Sequence, residues 1–185
     1  TKFSAFHKKK YIFYPANTWE HKNHLRLIKA FHLISQEDKD IYLLLTGSKT
    51  KYYEKILKLI NRYSLKKKIF HLGRVNNTEL INLYLNAQLL IIPSLFESIS
   101  IPIYEAFSLG IPVCCADSGS MKWQVKEAAV VFNPYNLDEM IYSIKKVLYG
   151  EKLKLKLVKN GEKIINNNSL NLYTKSLENT FRNFI

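Results

Sequence analysis

A chain of 185 residues with 47% hydrophobic content can close one substantial core, which excludes wholesale disorder. Its net charge of +13 invites anionic partners, but no RNP-type aromatic motif, zinc-finger spacing or helix-turn-helix signal accompanies the lysines, and no nucleic-acid partner is expected. No run of about 18 apolar residues offers a membrane span.

In chain order, residues 1–10 read as a linker or N-terminal extension. The opening TKFSAFHKKK has no signal-peptide apolar stretch and no initiating Met, as expected of a piece of a longer protein. YIFYPA (11–16) is a strand, followed by the helix HLRLIKAFHLI, whose Leu25, Ile28, Phe31 and Leu33 fit helical spacing. IYLLLTG (41–47) and KIFHLG (68–73) are strands closed by glycine, with a helix over 53–63 between them. A helix from Thr78 to Ala87, capped by Asn76 or Asn77, precedes the apolar strand LLIIPS (89–94). Ile103–Leu109 is a helix, IPVCCA (111–116) and AAVVFN (128–133) are strands, and 137–150 is a helix stopped by Gly150. The remainder, 151–185, reads as helical with a break around Asn166–Asn168, its 169–185 portion packing back on the fold or toward a further domain.

The strands are continuous apolar runs, the mark of burial on both faces, and they alternate with helices. Right-handed βαβ units in a parallel sheet follow, so the expected class is α/β, a Rossmann-like doubly wound sheet over 11–168. No GxGxxG follows the first strand, which disfavours an NAD-type site. Cys114 and Cys115 are adjacent and read as small buried hydrophobes, with no disulfide framework or metal site. Lys152, Lys156, Lys159 and Lys163 share one helix face, either a solvated face or a patch for an anionic membrane surface.

Ligands of such sheets bind at the carboxyl ends of the strands. There the sequence places Asn17 to Asn23, Gly47 and Ser48, Gly73 to Val75, Ser94 to Ser100, and Asp117 to Ser120. Ser98 or Ser100 can cap the next helix, with Pro102 in its first turn. The N–H groups of Ser98, Ile99, Ser100 and Ile101 then form an anion site at the positive end of the helix dipole. Glu97 lies just outside that helix and Glu105 one turn inside it. A nucleotide-sugar has the matching layout, hydroxyls on both sides of two phosphates. A solvent-facing Glu97 and a helix-favourable Glu105 are the plainer alternative.

The run PSLFESISIPIYEAFSLGIPV resembles the signature of retaining glycosyltransferases of family four, whose hallmark is two glutamates separated by seven residues. YPANTWEHKNHLRLIKAF, YLLLTG, HLGRV, LINLYLNAQLLIIPS and AAVVFNPYNLDEMIYSIKKVL resemble further blocks of the family in order, over roughly 11 to 150. The resemblance implies one half of a GT-B architecture, the C-terminal domain that binds the nucleotide-sugar donor. It also implies an N-terminal, acceptor-binding domain as partner. Glu97 then contacts donor-sugar hydroxyls and Lys22 neutralises the diphosphate, the two catalytic positions, while Glu105 contacts the ribose. Asn17, Gly47, Arg74 and Val75 join Ser98, Ile99, Ser100 and Ile101 in holding a UDP- or GDP-linked sugar. Neither a cofactor nor a metal is expected. A cytoplasmic enzyme is implied, with contact at the inner face of a membrane left open, moving a hexose to a glycan or lipid-linked acceptor.

The chain departs from the family pattern in three places. Ala16 and Asn17 stand where Gly-Arg is common, so the second phosphate-binding cation is missing unless Lys49, Arg74 or another residue replaces it. Ser98-Ile99-Ser100 replaces Gly-x-Gly, and Trp123-Gln124 replaces Pro-Glu. These departures support a rival reading, a degenerate non-catalytic module that docks to an anionic membrane or a protein partner.

Overall fold

In the computed structural model, which describes residues 3–6 and 8–167, six parallel strands form one sheet in the order β3-β2-β1-β4-β5-β6. They are β1 (Lys10–Pro15), β2 (Ile41–Thr46), β3 (Ile69–His71), β4 (Leu89–Ile92), β5 (Val113–Ala116) and β6 (Ala129–Phe132). Around them lie α1 (His24–Glu37), α2 (Tyr53–Arg62), α3 (Asn77–Leu85), α4 (Ile101–Ser108), α5 (Met121–Val125), α6 (Leu137–Tyr149) and α7 (Glu151–Asn167). This is the α/β, Rossmann-like arrangement expected. Strand order reverses between β1 and β4, which pair over only two positions, Ile12 with Leu89 and Phe13 with Leu90. By contrast β1 pairs with β2 along its whole length, Lys10 with Ile41 through Pro15 with Thr46.

The apolar runs behave as their composition demands. Tyr11 to Tyr14, Leu43 to Leu45, Leu89 to Ile92 and Val113 to Ala116 are buried, as strands covered on both faces must be. The expectation of two-sided burial fails at the sheet edges, where β3 and β6 each have one buried position and are otherwise half-exposed. An edge strand has one neighbour, and helices cover it incompletely.

Local chemistry fixes the boundaries. Asn76, not Asn77, caps α3 through a capping box, its side chain accepting from the Glu79 N–H while Glu79 accepts from the Asn76 N–H. Helix α4 starts at Ile101, two residues before the expected Ile103, because Pro102 fits the first turn, where a backbone N–H has no intrahelical acceptor. The five-residue α5 and a 3-10 turn over Glu20–Lys22 were not expected; neither is long enough to show a period. Helix α7 runs unbroken to Asn167, and the expected helix over 169–185 lies outside the described residues. Lys152, Lys156, Lys159 and Lys163 are all exposed, as either reading of that face requires. Among the described residues no helix is long and apolar enough to cross a membrane.

Helix α7 seats α4, and with it the loop that precedes α4. The contact turns on Gly161, where a Cβ would stand 2.7 Å from Cδ1 and 3.0 Å from Cγ of Phe107. Phe107 is itself buried, so its ring has little room to yield. Gly161→Ala would gain about 1 kcal/mol of helix propensity and lose about 1–3 kcal/mol to overpacking. A lower urea midpoint is expected, and Gly161→Leu should lower it further.

Candidate active site

The reversal of strand order opens a crevice between the loops that leave β1 and β4. The β1 loop closes with the Glu20–Lys22 turn and with Asn23 in the left-handed region at φ 60°. Asparagine tolerates that conformation, and here its side chain also staples three loops. Asn23 Nδ2 donates to the carbonyls of Pro93 at 2.9 Å and Pro134 at 3.2 Å. The Tyr14 hydroxyl donates to the Lys22 carbonyl at 2.9 Å, and the Leu95 N–H donates to the His21 carbonyl at 2.7 Å. Lys22 is thus fixed at the backbone before its side chain makes any contact.

That side chain forms an ion pair with Glu97 Oε1 across the crevice, and both groups are largely buried. Ser94 Oγ donates to the same carboxylate oxygen at 2.9 Å. Glu105 sits one turn into α4 and accepts from the buried Tyr84 hydroxyl at 2.6 Å. Burial raises the Tyr84 hydroxyl pKa far above the ordinary tyrosine range, and the Glu105 carboxylate adds to the shift, so Tyr84 stays a donor. Two carboxylates and one ammonium are therefore held by neighbours, with oxygens left to accept further hydrogen bonds.

Two adjoining clefts meet at Lys22. The larger, about 580 Å³, brings together Asn17, Lys22, Gly47, Arg74, Val75 and Glu105. The smaller, about 180 Å³, is lined by Lys22, Glu97, Ile99, Ser100 and Ile101. Of the residues assigned from the sequence to holding the nucleotide-sugar, Ser98 lines neither. Trp19, His21 and Leu80 also line the larger cleft; Trp19 and Leu80 lie within stretches singled out from the sequence but carry no role assigned there. His24, beside Lys22 in sequence, is instead fully buried against Tyr14, ring centroids 4.9 Å apart. Among the described residues no group of three or more His, Cys, Asp or Glu could hold a metal ion.

The loop before α4 is held by the loop and helix that follow β5. Ser118 Oγ donates to the Ser94 carbonyl at 2.8 Å, and the Ser120 hydroxyl and N–H reach the carbonyls of Ser98 and Glu97. Gly119, at φ 58°, passes so close that a Cβ would stand 2.1 Å from the Glu97 carbonyl oxygen. Gln124 completes the lacing: Oε1 accepts from the Ser100 N–H at 2.9 Å and Nε2 donates to the Ser100 carbonyl at 2.7 Å. Ser100 is the N-cap of α4, but its hydroxyl makes no capping bond. Its N–H, expected at the anion site, is already engaged. The N–H groups of Ser98 and Ile99 have no acceptor among the described residues.

Two expectations follow. Gln124→Ala strands the buried Ser100 N–H and should cost about 1–3 kcal/mol, with faster amide exchange at Ser100 as the local signature. Burial, reinforced by His71 and Lys22, pushes His24 down from 6.5 to about 3; burial, reinforced by Lys49, pushes His71 down to about 4. The unfolded chain therefore takes up these protons first, and stability should fall as pH drops from 6.5 toward 3. A His24→Leu variant should show a shallower acid limb in a plot of thermal midpoint against pH.

Residues 1–164 match the family model described as glycosyl transferases group 1. The O-antigen chain mannosyltransferase B of Escherichia coli is 31% identical over 129 residues, 69% of this chain and 34% of that protein. A glycosyltransferase from Rickettsia africae superposes with a TM-score of 0.80 at 25% identity, over 92% of this chain and 47% of that one. The C-terminal domain of a group 1 glycosyl transferase from Francisella tularensis shares the fold, with a TM-score of 0.76 at 17% identity and 86% of each chain covered. The chain thus spans about a third of the curated relative it matches. On the family match and this relative together, the chain belongs to the glycosyl transferases group 1 family.

Proposed function

We propose that this chain is the donor-binding half of a retaining hexosyltransferase, taking a UDP- or GDP-linked sugar. The observation that carries the reading is the Lys22–Glu97 pair across the crevice, with Glu105 one turn inside the neighbouring helix. A nucleotide diphosphate laid along the crevice meets Lys22 at its centre. When the sugar leaves, negative charge grows on the departing phosphate, and a cation fixed by its own backbone contacts stabilises that charge without reorganising. The free N–H group of Ile99, which lines the smaller cleft just ahead of α4, adds a donor.

The carboxylates divide the remaining work. Glu97 accepts from hydroxyls of the sugar, and its link to Lys22 couples sugar position to phosphate position. Glu105 accepts from ribose hydroxyls, with Tyr84 occupying one oxygen and leaving the other. The mannosyltransferase relative supports a hexose as the transferred group. A glycan or lipid-linked acceptor would bind on a further N-terminal domain, with no metal in the transfer step.

Calorimetric titration with UDP, GDP, ADP and CMP tests the reading. One nucleotide should bind saturably, and Glu105→Ala should weaken it about 10- to 100-fold, the loss of a hydrogen bond to a charged group. A folded chain that binds none of them would favour the non-catalytic docking module.

A further inference from the structure

The charges that line the two clefts nearly cancel. Lys22 and Arg74 are the cations, Glu97 and Glu105 the carboxylates, and Lys22 is already paired with Glu97. A diphosphate brings at least two negative charges. Without Arg74 it would enter a cleft whose own charge is negative, and Lys22 would serve two anions at once.

We infer that Arg74 is the second cation of the diphosphate site, held ready by Ser48. Arg74 follows Gly73, whose φ of 75° turns the chain sharply after β3 and brings the next residue back over the cleft. Its Nε donates to Ser48 Oγ at 2.7 Å. Ser48 is itself fixed, its N–H donating to Asn17 Oδ1 at 2.6 Å and its carbonyl accepting from the Thr18 N–H at 3.0 Å. One edge of the guanidinium is thus occupied, and the terminal nitrogens have no carboxylate partner among the described residues. A planar fork anchored at Nε offers two parallel N–H donors, the geometry that a phosphate accepts bidentately.

The other nearby cation is placed for different work. Lys49 Nζ lies 4.6 Å from the Tyr53 ring centroid and Lys49 does not line the cleft. Asn17 and Arg74 meet at Ser48, so an arginine introduced at 17 would start from the same spot and reach the same phosphates.

This inference rests on the donor-site reading and is tested by comparing ligands that differ only in phosphate. The whole chain is titrated with UDP and GDP, with UMP and GMP, and with uridine and guanosine, as wild type, Arg74→Ala, and Arg74→Ala combined with Asn17→Arg. Arg74→Ala should weaken the diphosphate at least 10-fold, the monophosphate less, and leave the nucleoside unchanged. The added Asn17→Arg should recover most of the loss. Arg74 is exposed, so the denaturation midpoint of Arg74→Ala should match wild type and separate binding from folding. An equal loss for all three ligand types would assign Arg74 to the base or ribose and overturn the inference, as would no loss at all. Wild type that binds diphosphate in a Glu105-dependent way while Arg74→Ala binds as well would sink this inference and spare the donor site. Wild type that binds no diphosphate would sink both.

Discussion

Between β1 and β4 the chain reverses its direction of winding, and the loops that leave these two strands must part to opposite faces of the sheet. A gap results that neither loop can fill alone. The Lys22–Glu97 ion pair spans it, beside the bonds from Leu95 N–H to the His21 carbonyl and from Asn23 to the Pro93 carbonyl. Several neighbours hold this pair: Tyr14 and Asn23 fix the backbone that presents Lys22, Ser94 holds the Glu97 oxygen, and the residues after β5 fix the loop that presents Glu97. A buried ion pair costs desolvation on both sides and is a weak source of stability. Its place in the crevice where strand order reverses is the basis for reading it as part of a ligand site.

The loop before α4 shows how such a site is kept rigid without a large core of its own. It is too short and polar to pack by hydrophobic burial, so it is hydrogen-bonded instead, residue by residue, to the segment 118–124. Gln124 bonds both the N–H and the carbonyl of Ser100, much as a neighbouring strand would. Removing one side of such a buried network leaves groups unpaired, which costs more than the bond itself contributes. The glycine at 119 belongs to the same device, since any side chain there would strike the Glu97 carbonyl.

What the sequence disclosed follows the range of each interaction. Buried parallel strands are continuous apolar runs, so LLII at β4 and VCCA at β5 announced themselves, and the Pro102 rule located the start of α4 to within two residues. Glu97 and Lys22 are placed by lying just after apolar strands and Glu105 by lying in the helix that follows, and all three are singled out by the family resemblance. The lacing was hidden: Gln124 bonds a residue 24 positions away through a side chain that any exposed loop could carry. Tyr84, read as a helix residue, is 21 positions from the carboxylate it orients. Helix α5 supplies Gln124 but is too short to show a period, and the Ser48 bridge between Asn17 and Arg74 joins three loops that only the sheet brings together.

The net charge of +13 invites an electrostatic account of function, yet the fold locates that charge elsewhere. Lys152, Lys156, Lys159 and Lys163 of α7 are exposed, Lys9 and Lys68 lie over the Tyr42 ring, and Lys10 and Lys145 pair with Asp38 and Glu37. In the crevice itself, two cations face two carboxylates. An anion drawn by the overall field therefore meets a site close to neutral, where geometry rather than charge decides what stays. A bare polyanion has nothing to offer Glu97 and Glu105. On the proposed donor-site reading, a ligand with phosphates between two sets of hydroxyls would satisfy the cations and the carboxylates together, and that joint demand would select it.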